Sequence, residues 1–123
     1  MAPKPTPATE PDKAQILVAL AEEYFALAHQ LAPTVALSPS EDNIEQYDQL
    51  ISTGLGCLAA ALKKVKMSPR VEAKIRLRYA GVLYEETENY MEAETALSHG
   101  ISLCDRVRKH QMSQMSQMSE ERD

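Results

Sequence analysis

Apolar side chains recur along this chain at intervals of three and four residues, the period of helices packed on one side. From about Asp12 to Leu31, the series Ile16, Leu17, Leu20, Tyr24, Leu27 and Leu31 falls on one face. Pro11–Asp12 opens this helix. Ala32–Pro33 is expected to close it, because a residue before proline is driven away from helical backbone. A loop from Pro33 to Ser40, with two prolines, leads to a second helix from about Glu41 to Lys66. Its apolar set is Ile44, Tyr47, Leu50, Ile51, Leu55, Leu58 and Leu62. Ser40 suits the N-cap, Glu41, Asp42 and Glu45 complement the positive end of the helix dipole, and Lys63, Lys64 and Lys66 complement the negative end.

Ser68–Pro69 is a start signal, combining a favoured cap with the residue best suited to the first helical position. The third helix then runs to about Thr87, with Val71, Ile75, Tyr79, Val82 and Leu83 apolar. Asn89 is placed to cap a fourth helix, with Glu92 three residues on as in a capping box, and the stripe Tyr90, Ala93, Leu97, Ile101, Cys104 and Val107 follows. The turn between helices three and four is so short that the two must pack as antiparallel neighbours. No segment alternates as a strand would. The expected fold is all-α, with about four helices in antiparallel pairs. Residues 1–11 read as a disordered Pro-rich leader and 12–109 as the helical domain. Residues 110–123, with Met112, Met115 and Met118 three apart, read as a low-complexity tail, partly helical or disordered.

Small residues are spaced as in a helical repeat. Helices three and four carry Leu77, Ala80–Gly81 and Tyr84, then Ala93, Leu97 and Gly100. This order of large, small and aromatic positions is similar to one tetratricopeptide (TPR) unit. In such a unit Gly81, Ala93 and Gly100 would let two helices cross closely, with Tyr84 and Leu97 filling the gaps. The first pair echoes the pattern through Leu17, Leu20–Ala21 and Tyr24, then Gly54, Leu58 and Ala61, across an enlarged connection from Ala32 to about Gln49. The expectation is a TPR-like right-handed superhelix, the start of an α-solenoid. An unrelated four-helix bundle is the alternative. About two repeats fall short of the ~3 that usually make a stable solenoid, so open faces must be covered by further repeats, a partner or self-association.

Composition narrows the chemistry. The 123 residues suffice for one small domain, with 44% apolar residues, 25% charged residues and four glycines. A net charge of −5 argues against direct contact with DNA or an anionic membrane. No apolar run approaches the ~20 residues of a membrane span, and Met1–Pro11 has no apolar core of a secretory signal. Cys57 and Cys104 form neither a metal cluster nor a disulfide framework and are expected to be buried free thiols in a cytosolic or nuclear protein. His29, His99 and His110 have no ligand spacing, and Gly54–Leu55–Gly56 lies inside a helix. The pairs Glu22–Glu23 and Glu85–Glu86 read as solvated surface. No enzyme activity, cofactor or metal is expected. Lys63, Lys64, Lys66, Arg70, Lys74, Arg76 and Arg78 gather at the turn 63–78. They read first as helix-end charges, and alternatively as a contact for an acidic partner or DNA.

The segment Arg70–Arg106 resembles the cohesin-loading-factor family. The resemblance rests on Arg70, Glu72 and Ala73 at a helix opening, on Gly81, Leu83 and Tyr84 a few turns later, and on Ala93 and Leu97 downstream. The stretch AQILVALAEEYFALA and the helix Cys57–Leu62 fall where the family has its first helices, so the likeness covers about residues 14–106. It implies the N-terminal portion of a nuclear, chromatin-associated TPR scaffold. Such a scaffold wraps an N-terminal segment of the large HEAT-repeat subunit, the adherin, and the complex loads cohesin for sister-chromatid cohesion through the cell cycle. Cohesin itself would be met indirectly. A generic TPR or helical adaptor for another protein is the alternative. In a TPR array the first helix of each pair lines the concave surface. That places Gln15, Val18, Glu22 and Phe25, with Ile75, Arg78, Val82 and Glu85, along a partner segment, with Val18, Phe25, Ile75 and Val82 as apolar anchors. The same side chains would equally serve to pack a neighbouring repeat or the enlarged connection.

Overall fold

The structure, a computed structural model, describes residues 10–121 and the side-chain environments of residues 12–117. The expected leader, apart from Glu10 and Pro11, lies outside the described residues, as do the last two residues of the tail. The fold is all-α: α1 (Glu10–Leu37), α2 (Glu41–Lys64), α3 (Pro69–Glu86) and α4 (Tyr90–Glu121), with no strand among the described residues. The chain forms two compact units that divide between Met67 and Ser68, α1 with α2 and α3 with α4. Each pair is antiparallel. Lys13 and Leu17 near the start of α1 lie beside Lys64 and Val65, while Phe25 lies beside Gly54. Leu77 likewise meets Gly100, and Tyr84 meets Tyr90. Such helix pairs are the units from which α-solenoids are built.

Local chemistry explains most of the boundaries. The Ser40 hydroxyl accepts the Asn43 N–H at 3.1 Å, and the Ser68 hydroxyl accepts the Val71 N–H at 3.3 Å, with Pro69 opening α3. Each satisfies one of the amide donors left over at a helix start. At the short turn, the Thr87 hydroxyl donates to the Leu83 carbonyl and accepts the Asn89 N–H at 3.1 Å. The Asn89 side-chain amide donates to Glu92 at 2.8 Å, and the Asn89 carbonyl accepts the Ala93 N–H at 3.1 Å.

One boundary departs from the sequence reading. Helix α1 does not stop at Ala32–Pro33 but runs through Pro33 to Leu37, and the Ser38 N–H closes its end on the Thr34 carbonyl at 2.8 Å. A proline inside a helix costs roughly 3 kcal/mol, but Leu31, Ala32 and Val35 are half-buried around it and hold the helix together. The connection to α2 is therefore only Ser38–Ser40, and most of the expected enlarged connection is helix.

The buried stripe of α1 is also turned from the expected one. Ala14, Ala21, Phe25 and Ala28 are buried, whereas Ile16, Leu20 and Leu27 are 60%, 44% and 47% exposed. At ~100° per residue the true seam lies about a quarter-turn from the leucine face. Backbones approach most closely where side chains are smallest, so alanines take the seam and leucines its flank. Both units bury alanines, and on α2 and α3 large side chains such as Leu55, Leu58, Ile75 and Leu83 share the interior with them. Ala61 is fully buried, and Ala73, Ala80, Ala93 and Ala96 are buried as well.

Candidate functional site

Two recesses of different chemistry lie in the α3–α4 unit. The first is an apolar groove of ≈ 460 Å³ between the two helices, near their connecting turn. Leu77, Ala80, Gly81 and Tyr84 come from α3, and Tyr90, Ala93, Glu94 and Leu97 from α4. Helical spacing puts each set on one face, and the short turn brings the faces together. Tyr84 and Tyr90 close one end with ring centroids 5.6 Å apart and planes inclined at 59°. Tyr84, Tyr90 and Leu97 are 67%, 56% and 45% exposed, and Ile101 extends the stripe at 51%. Glu94 is the sole charge in the lining. A surface of this kind packs apolar side chains of another segment and offers the carboxylate to one basic residue.

Tyr79 and Glu92 fix the neighbouring geometry. The Tyr79 hydroxyl donates to the Glu92 carboxylate at 2.7 Å, and the other carboxylate oxygen holds Asn89. Burial first, and then the hydrogen bond and negative charge of Glu92, push the ionisation of Tyr79 up to about 12. Three residues thus tie the first turn of α4 to α3.

The second recess, of ≈ 320 Å³, lies at the other end of the same helix pair. Arg70 and Lys74 of α3 and Arg108 of α4 line it, over Ala73, Cys104 and Val107. Elsewhere, Glu41, Glu45 and Asp48 make an acidic face on α2. Among the described residues no three His, Cys, Asp or Glu side chains are placed to hold a metal ion, and no helix is long and apolar enough to cross a membrane.

Several expected site residues stand elsewhere. Phe25, Ile75 and Val82 are buried at 2%, 5% and 3% exposure, so they are interior side chains and not exposed anchors. Gln15, Glu22, Arg78 and Glu85 are exposed, and Val18 is half-buried. Of the expected packing positions, Gly54, Leu58, Ala61, Ala93 and Gly100 are buried, and Leu17, Tyr24 and Leu77 half-buried. Leu20, Tyr84 and Leu97 are exposed and fill no crossing, and a side-chain carbon at Gly81 would meet nothing within 4 Å. Of these, Gly81, Tyr84 and Leu97 wall the open α3–α4 groove. Cys104 is exposed and Cys57 half-buried, so the thiols are not both interior; both are free. Tyr90, Glu94 and Arg108 were missed as site residues. Their signal was available, since antiparallel pairing sets Tyr90 opposite Tyr84 and Arg108 opposite Arg70.

The family model for the cohesin loading factor matches residues 13–118. The chain belongs to that family. The match spans all four helices, so both helix pairs, and not the α3–α4 unit alone, carry the family pattern. Membership carries a role in cohesin loading, which is done on chromatin and through protein–protein interaction. No similar sequence was found among curated proteins and no similar fold among solved structures.

Proposed function

We propose that the chain is a non-catalytic TPR scaffold of the cohesin loader, acting in the nucleus. It binds an extended N-terminal segment of the large HEAT-repeat subunit and meets cohesin through that complex. The family match over residues 13–118 is the observation that carries this reading. The antiparallel hairpins and the close crossings at Gly54 and Gly100 support the TPR part of it. The groove lined by Leu77, Tyr84, Tyr90 and Leu97 offers the partner segment an apolar anchorage, a role the sequence assigned to Val18, Phe25, Ile75 and Val82, the last three of which are interior. Gln15, Val18 and Glu22 on α1, and Arg78 and Glu85 on α3, are proposed as further partner contacts, each set on the first helix of its own pair.

Co-purification of the full chain with the N-terminal segment of the large subunit tests the reading. Leu97→Glu places a charge in the groove at a 45%-exposed position and leaves the seam intact. It should weaken capture by about tenfold or more, the cost of burying one unpaired charge, with an unchanged helical circular-dichroism signal. Undiminished capture by Leu97→Glu would remove the groove from the interface. Failure of the unaltered chain to retain the segment would sink the scaffold reading itself.

A further inference from the structure

We infer that the recess lined by Arg70, Lys74 and Arg108 is a binding site for an anionic side chain of a partner protein, seated beside an aliphatic one. This site is separate from the apolar groove and does not depend on which subunit occupies that groove. Its three cations come from two helices and converge on one ≈ 320 Å³ hollow, in a chain whose net charge is −5. Positive charge is therefore concentrated here against the average of the molecule.

The nearby acids do not neutralise it. Glu72 is engaged by Arg76 at 3.4 Å, on the next turn of α3. Asp105 reaches Arg108 at 3.4 Å, but the two side chains are 52% and 70% exposed, and such a surface pair is weak and easily exchanged. A guanidinium that gives up this contact can grip a carboxylate or phosphoryl group through two parallel N–H donors, which is stronger and more directional. Lys74 adds a point charge from the side.

The floor decides the kind of partner. Ala73 is 2% exposed and Val107 is half-buried, so the base of the recess is apolar. A nucleic acid would instead want many phosphate contacts along a basic track, about 6–10 in typical cases. Three cations over an aliphatic floor match one acidic or phosphorylated residue with an aliphatic neighbour on a protein segment. The Sγ of Cys104, exposed and in the lining, reports on occupancy.

Fluorescein-labelled peptides titrated into the full chain provide the test. One carries glutamates flanking a leucine, a second has phosphoserines in place of the glutamates, and a third has glutamines. A single-stranded oligonucleotide of equal charge is the fourth probe. At least one anionic peptide should bind, and the glutamine peptide should bind about tenfold or more weakly. Preference for glutamate or for phosphoserine identifies the source of the anion. Arg70→Gln with Lys74→Gln should lower affinity by about tenfold with unchanged thermal melting, while Lys63→Gln, outside the recess, should not. Bound peptide should slow maleimide alkylation of Cys104 and leave Cys57 unchanged. Equal binding of the glutamine peptide, tighter binding of the oligonucleotide than of either anionic peptide, an equal loss in Lys63→Gln, or unprotected Cys104 at saturation would each overturn the site.

Discussion

The ring of Phe25 lies so close against Gly54 that a side-chain carbon at Gly54 would stand 2.8 Å from Phe25 Cδ1, well inside contact distance. Phe25 is 2% exposed and its ring is rigid, so it cannot give way as a flexible chain would. Gly54→Ala should therefore destabilise the α1–α2 unit by about 1–3 kcal/mol, measured by urea unfolding. Phe25→Ala alone should cost about 3–5 kcal/mol. The double variant should lose clearly less than the two together, because the new methyl occupies space the ring has left. Additive losses would show that the two residues do not share this contact.

The other glycines divide by the same criterion. Gly56 and Gly81 have open space where a Cβ would stand, whereas Gly100 faces Leu77 Cδ2 at 2.8 Å. Gly56→Ala and Gly81→Ala should each stabilise by up to about 1 kcal/mol, the helix-propensity difference. Gly100→Ala should fall below both, since Leu77 must rotate away. A destabilised Gly81→Ala would mean that the groove is closed in solution.

Alkaline titration should expose the Tyr79–Glu92 contact. Tyr79 ionises near 10.0 in the unfolded chain and is pushed up to about 12 in the fold. Between these values the unfolded chain has lost the proton and the folded chain keeps it. The contribution is complete below pH 10 and is lost as the pH rises towards 12. Tyr79→Phe should flatten this part of the stability–pH curve, read by urea melts across the window. An unchanged slope in that variant would assign the alkaline loss to other groups.

Serine caps give a further check on local structure. Ser40→Ala and Ser68→Ala should each cost about 1 kcal/mol, because the Asn43 and Val71 amides lose their acceptors. Pro33→Ala should act in the opposite sense by restoring a helical N–H within α1. Equal stability of Pro33→Ala and the parent would show that the helix relaxes fully around the proline.

The helices themselves were written in the sequence. Period, the Ser40 and Ser68 caps and Pro69 act over three or four residues, and a local code of that kind survives without knowledge of the partner helix; at α4 the expected pair Asn89 and Glu92 meets side chain to side chain and not as a reciprocal capping box. The family resemblance was also legible, since it rests on residue types at fixed spacing. Pro33 was misleading because its local cost is offset by half-burial of Leu31 and Val35, which only the folded pair supplies.

Which apolar face is interior was settled by the tertiary structure. A leucine and an alanine on adjacent faces carry the same periodic signal, yet the alanine face permits the closer approach, and the leucines are displaced to its flank. So Phe25 moved from expected anchor to core, while Tyr84 and Leu97 moved from expected packing to the wall of a groove. Arg70 and Arg108, 38 residues apart in the chain, became neighbours only when α3 and α4 folded back on each other. Helix formation depends on near neighbours in sequence, and site formation on which faces the packing leaves open.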